Sequence, residues 1–358
     1  MRTPLCACLL ALLALLAAAP ARAGQADGRL DIYWNDVEGG GATLIVTPAG
    51  QSVLIDSGNP GTRDAGRIHQ TAAAAGLKEI DFFILTHFHI DHFGGIGPLA
   101  ALMPIGEVYD RGIPLHAPDD GTSEALWILT SRPYRTFRAV ARNRVVPGLA
   151  IPLRQSGPLA LSLRCVASGG EVIPAPAGAP ANPLAREDSR KDLHPSDNDR
   201  SSAWILDFGP FRFWDGGDLT WNQEAKLVVP VNRIGQVDVY QVDHHGLAFS
   251  NNPVLIHTLA PTVSVMNNGP TKGTAKPTVE SLRSSPGIQA MYQLHKNLRA
   301  GDPEDNTADG YIANFAGEAN HPGARCLKLS VAPDGLSYTI SIAGTGTQRT
   351  YRTRLDKS

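Results

Sequence analysis

Leu85-Thr86-His87-Phe88-His89-Ile90-Asp91-His92 closes the apolar run Phe82–Leu85, and the reading of this stretch decides the chain. Three imidazoles and a carboxylate fall within the six positions 87–92. The apolar run reads as a buried strand, so the cluster lies at a strand mouth, where a fold can aim several side chains at one point. Imidazole and carboxylate are donors that borderline divalent ions prefer, and zinc takes them at about 2.0–2.2 Å. A solvated, histidine-rich loop is the plainer alternative. The fixed spacing H-x-H-x-D-H argues against it.

Upstream, Ala42–Val46 and Ser52–Ile55 are β-rich runs separated by the turn signal Pro48-Ala49-Gly50, and they end in Asp56-Ser57-Gly58. Downstream, Phe211-Arg212-Phe213-Trp214-Asp215-Gly216-Gly217-Asp218 reads as a strand ending in Gly-Asp, whose glycines permit a tight turn. The strand pattern Val237–Val242 then leads into Asp243-His244-His245-Gly246.

In this order the motifs resemble the metallo-β-lactamase superfamily of binuclear metal hydrolases. Within it they are most similar to the metallo-β-lactamase domains of competence-channel (DNA-uptake) proteins and to the secreted phosphorylcholine esterases. The resemblance implies that His87 and His89 bind one divalent metal ion and that Asp91 and His92 bind a second. Asp218 would bridge the two, with Asp215 as the weaker competitor. His244 would be a further ligand of the second ion, leaving His245 to touch substrate or support a ligand; the swapped assignment is the alternative. Asp56 would orient a ligand without touching metal. Asp91, Asp218 and His245 are the expected catalytic groups.

One family ligand is missing. Many members place a third histidine for the first ion just before a strand; the strand here is Ser202–Leu206, and Asn198 fills the slot. His194 lies slightly earlier, at the wrong spacing for the usual turn. An asparagine here resembles the competence and esterase subgroup, as does the partial motif Asp36-Val37-Glu38-Gly39-Gly40-Gly41, whose final acid is replaced by glycine. Water would complete the shell of an ion held only by His87, His89 and Asp218.

The expected chemistry is metal-assisted hydrolysis by a hydroxide bridging two cations, with zinc the expected ion and manganese or iron the alternatives. The favoured substrate is a phosphoester or phosphodiester. A lactone or β-lactam is the second reading, and a non-catalytic metal-binding module the third. Lys272, in Asn267–Gly273, and His295 are candidate substrate contacts.

The 358 residues carry a net charge of −2 and lack basic runs, which disfavours a nucleic acid groove without excluding one. Arg2 followed by the apolar run Leu5–Ala19 and by Ala21-Arg22-Ala23 reads as a secretory signal peptide cleaved after about Ala23, too short an apolar core to span a membrane. The protein is therefore expected in the periplasm or outside the cell. Cys165 and Cys326 then remain, as a disulfide or as separate thiols.

The expected organisation is residues 1–23 as signal peptide, 24–300 as the hydrolase domain and 301–358 as a β-rich C-terminal extension. Helices are predicted over Asp64–Ala75 and Gly97–Met103, with another inside Glu124–Arg142 broken near Pro133. The Pro- and Ala-rich stretch Ile173–Pro183 and the polar Arg186–Asp199 read as a surface excursion or lid. Pro333-Asp334-Gly335 predicts a terminal β-hairpin. Alternation of strands and helices gives an α/β class; the αββα sandwich is what the resemblance adds.

Overall fold

The computed structural model describes residues 24–119, 121–187, 190–299, 305–317 and 323–356; the expected signal peptide lies outside them. Apolar alternation builds the first strands, β1 (Leu30–Trp34), β2 (Thr43–Val46), β3 (Ser52–Ile55) and β4 (Ile80–Ile84). Residues of opposite parity in these strands enter different cores: Val53 and Ile55 face one, Leu54 the other. Such strands need cover on both faces.

Helix α1 (Thr62–Ala74) follows β3, and Gly76, at φ +76°, ends it in the left-handed conformation that glycine adopts freely. The short α2 (Ile90–Phe93) and α3 (Ile96–Leu102) lead to β5 (Ile105–Asp110). Helix α4 (Glu124–Thr136) starts on a Ser123 cap and precedes β6 (Ala139–Arg144). It runs through Pro133 instead of breaking there. Pro133 packs onto Gly97 of α3, where a β-carbon would come within 2.8 Å of its Cβ. Pro133 lies in the last turn, and the helix ends three residues later at Thr136.

The second sheet begins with β7 (Leu161–Ser168) and β8 (Glu171–Val172) and continues after the excursion with β9 (Ala203–Phe208) and β10 (Phe211–Asp215). Helix α5 (Trp221–Val228), β11 (Val239–Gln241), α6 (Pro253–Leu259), β12 (Val263–Met266), α7 (Lys276–Arg283), β13 (Ala290–His295) and β14 (Ile312–Asn314) complete it. The chain then returns to the first sheet with β15 (Leu327–Val331), β16 (Ser337–Ile342) and β17 (Gln348–Arg352).

The sheets run β17-β16-β15-β1-β2-β3-β4-β5-β6 and β14-β13-β12-β11-β10-β9-β7-β8. One core, with Trp34, Phe82, Trp204, Phe213 and Tyr292, lies between them. A second packs α1, α3 and α4 on the outer face of the first sheet, and a third packs α5, α6 and α7 on the second. The result is an αββα sandwich. The C-terminal hairpin β15–β16 forms as its turn residues predict, and β15 pairs antiparallel with β1. Strand β14 pairs with β13, so strands on both sides of position 300 share sheets. Cys165 and Cys326 are separate thiols.

Candidate metal centre

Each side chain of the centre comes from the loop after a parallel strand. Asp56 follows β3, His87–His92 follow β4, Asp218 follows β10, His245 follows β11 and Lys272 follows β12. The carboxyl ends of parallel strands are where α/β folds gather chemistry. A larger cleft of about 750 Å³, lined by Met103, Ile105 and Ala139, opens at the amino ends of β5 and β6 and holds none of these residues.

Among the described residues, two ligand groups form: His87, His89 and Asp218, and Asp91, His92 and His245, with the donor atoms of each group within 4.8 Å of one another. Asp218 Oδ2 joins them, 3.8 Å from His87 Nε2, 3.2 Å from His92 Nε2 and 3.3 Å from His245 Nε2. Asp91 Oδ2 lies 3.7 Å from His92 Nε2 and 3.5 Å from His245 Nε2.

The imidazoles are held from behind, and this sets which nitrogen faces the centre. His92 Nδ1 is 2.6 Å from Asp56 Oδ2, His245 Nδ1 is 3.2 Å from the Asn267 carbonyl, and His89 Nε2 is 2.6 Å from Asp119 Oδ2. An oxygen that takes the ring N–H leaves the opposite nitrogen's lone pair for a metal. His92 and His245 thereby present Nε2, and His89 presents Nδ1. His87 Nε2 and Asp218 Oδ1 are buried with no hydrogen-bond partner. Such orphans cost about 1–3 kcal/mol each unless something completes them. The donor set fits divalent metal ions.

Charge agrees with this geometry. Burial, with the neighbouring His92 and His89, holds the His87 imidazole well below its ordinary value, in the neutral form a metal needs. Burial opposes ionisation of Asp218 and Asp91, yet the facing imidazoles, joined by Lys272 at Asp91, hold both carboxyls well below the usual range. His92 differs: against burial, Asp218, Asp56 and Asp91 hold it well above its ordinary value, so a metal would have to displace a proton from its ring.

The loops are braced from outside. Asp56, at φ +61°, accepts hydrogen bonds from the Thr86 amide and hydroxyl, each at 2.8 Å. A β-carbon on Gly217 would meet Thr86 Cβ at 2.8 Å, so glycine lets the Asp218 loop press onto the histidine loop. At Gly41 a β-carbon would stand 2.8 Å from His92 Nδ1 and 2.9 Å from Asp56 Oδ2. This close fit explains why the Asp36–Gly41 motif ends in glycine. Buried Asp197 accepts the Phe88 amide at 2.6 Å, pairs with Arg111, and donates its own amide to Asp119 Oδ1 at 2.6 Å. Sequence reasoning missed Asp119 and Asp197. Pro118-Asp119 reads as an ordinary turn, and nothing local ties it to a histidine thirty positions away.

Several expected residues take other places. His245, fully buried, joins the second group, while His244 does not. Both residues adopt left-handed backbone, φ +51° and +56°, which turns the second ring inward and the first aside. His244 instead places Nδ1 3.0 Å from Ser250 Oγ and Nε2 3.3 Å from Asn198 Nδ2, with Asp218 Oδ2 at 3.6 Å. Burial holds its imidazole down at about 4. His295, expected at the site's mouth, turns inward instead: its buried ring is bonded to buried Asp36 at 2.5 Å. Asp215 is buried outside both groups, its Oδ1 accepting the Gly217 amide at 3.1 Å. His194 is exposed. Lys272 Nζ reaches Asp91 Oδ2 at 2.5 Å.

Residues 36–164 match the family model of the metallo-beta-lactamase superfamily, a stretch that holds Asp56 and His87–His92. No curated protein matches the chain. Solved structures similar to it include a diphosphatase from the PhnP family, 14% identical, covering 73% of this chain and 94% of that one at a TM-score of 0.39. MEM-A1, a subclass B3 metallo-beta-lactamase from a soil metagenome library, is 18% identical over 51% of this chain and 58% of its own, TM-score 0.31. CmlA, a diiron β-hydroxylase from Streptomyces venezuelae, is 15% identical over 73% and 52%, TM-score 0.41. The match to the metallo-beta-lactamase superfamily thus lies on residues 36–164, the stretch that supplies His87, His89, Asp91 and His92 to the two ligand groups.

Proposed function

We propose that the chain is an exported binuclear-metal hydrolase, with zinc as its ion and a phosphoester or phosphodiester as its substrate. The observation that carries this reading is the sharing of Asp218 between the two ligand groups. His87, His89 and Asp218 would hold one cation, and Asp91, His92 and His245, with Asp218, the other. Two cations there supply Lewis acidity and bring the pKa of a water near neutrality.

The chain's own residues have distinct parts. Asp56, Asp119 and the Asn267 carbonyl keep three imidazoles aimed inward. Lys272, whose side chain is about one-third exposed, stands at the rim beside Asp91 and presents an ammonium to a non-bridging phosphate oxygen. His244 and Asn198 line the side where many relatives carry a third imidazole; the phosphoester reading rests on that replacement and on His-His-Gly. Asn198 Oδ1, buried without a partner, is available to a water or a substrate donor. The leader-like residues 1–23 support export.

The test is metal analysis of purified protein followed by turnover of bis(p-nitrophenyl) phosphate and of nitrocefin. Bound metal with cleavage of the diester alone is expected. Cleavage of nitrocefin or a lactone instead would move the substrate to the carbonyl class. Bound metal with no hydrolysis of any of them would make this a non-catalytic metal module.

A further inference from the structure

A groove of about 250 Å³ opens beside the centre, between α2 and α4. His89, Asp91 and Asp119 supply its charged and ligating side chains, and Phe88, Ile90, Phe93, Leu126 and Trp127 its apolar wall. The pattern of α4 explains why the groove exists. Trp127, Ser131 and Tyr134 are buried on its inner face, while Leu126 and Thr130, one turn apart, stand beside them and line the groove. Leu126 is 49% exposed and Leu129, next around the helix, 67%; Ile90 across the groove is 37% exposed. Neighbouring exposed apolar side chains that open on polar, metal-ligating ones form the pattern of a ligand site.

Resting on the phosphoester reading, we propose that this groove binds an apolar substituent of the substrate. The substrate is then a phosphodiester in which one ester group is a hydrocarbon chain or ring. Its charged phosphate meets Lys272 and the ligand groups, and its apolar group lies along Ile90, Leu126 and Trp127. An apolar cavity of about 150 Å³ accepts benzene, so this space takes roughly eight to ten carbon atoms. Removing successive methylenes from water is enough for a steep chain-length preference even when the groove is partly open.

A series of alkyl p-nitrophenyl phosphates, methyl to dodecyl, tests this on the metal-loaded enzyme. Attack at phosphorus breaks the bond to p-nitrophenolate and leaves an alkyl phosphate, so every member has the same readout. The octyl ester should exceed the methyl ester in kcat/KM by at least tenfold, with no further gain to dodecyl. Leu126→Asp, at a half-exposed position where folding survives, should bring that ratio close to one. Val140→Asp, at a more exposed apolar site on β6 outside the groove, should not. A wild-type ratio near one overturns the groove and leaves the phosphoester reading standing. Calorimetric binding of octylphosphonate against methylphosphonate gives the answer without hydrolysis. Chain-length-dependent binding with no diester cleaved keeps the groove and removes the phosphoester reading; equal affinities overturn the groove.

Discussion

His89 Nε2 lies 2.6 Å from Asp119 Oδ2, and that carboxylate's other oxygen takes the Asp197 amide at 2.6 Å. Asp119 thereby fastens His89, the one partly exposed member of the first ligand group, to the turn that carries Asn198. Asp119→Asn removes the charge that orients the ring and keeps the shape. It should weaken the cation at His87, His89 and Asp218 by about 10–100-fold. Chelator competition measures this, and the unfolding midpoint of the metal-free protein should scarcely move. Unchanged affinity would show that His89 needs no such anchor.

The two histidines of His-His-Gly should separate cleanly. His245→Ala is expected to lose about one equivalent of metal, because its Nε2 faces Asp91, His92 and Asp218. His244→Ala should keep its metal and lose activity. Elemental analysis beside kinetics decides the matter, and metal loss from the His244 variant alone would restore the sequence-based assignment.

Asp218→Ala should abolish the binding of both ions and nearly all turnover while the chain stays folded. Asn198→Ala should cost far less than His87→Ala, since Asn198 reaches His244 and neither ligand group includes it. Comparable losses from the last two would make Asn198 a ligand in its own right.

Asp215 gives a pH prediction. Burial, aided by the nearby Asp56, pushes its carboxyl up to about 7, against an unfolded value near 3.9. A folded pKa above the unfolded one contributes stability that is complete below about pH 4 and is lost as pH rises through about 7. Between pH 5 and pH 8 the metal-free protein should therefore lose thermal stability relative to Asp215→Asn, by a few degrees. Parallel melting curves for the two proteins across this range would remove Asp215 as the cause.

The first ligand loop was legible because its donors are local. His87, His89, Asp91 and His92 lie on one strand-to-helix connection, and the Asp-x-Gly, Gly-Asp and His-His-Gly motifs mark the strands around it. What the sequence left open depends on backbone direction and on distant partners. The choice between His244 and His245 turns on two consecutive left-handed residues, which no spacing rule distinguishes. Asp119 and Asp197 meet the ligand loop only through the folding of two long connections. His295 looked available at a strand end, but the register of β13 aims it at Asp36 inside the protein.

The antiparallel pairing of β1 with β15 spans most of the chain. During synthesis, the free edge of β1 has to wait until Val331 has left the ribosome. Until then the emerging half presents an unsatisfied row of backbone donors and acceptors, the kind of surface that recruits foreign strands. A truncation ahead of Leu327 would make that transient exposure permanent, so aggregation is the expected fate of shortened products even though every ligand would still be encoded.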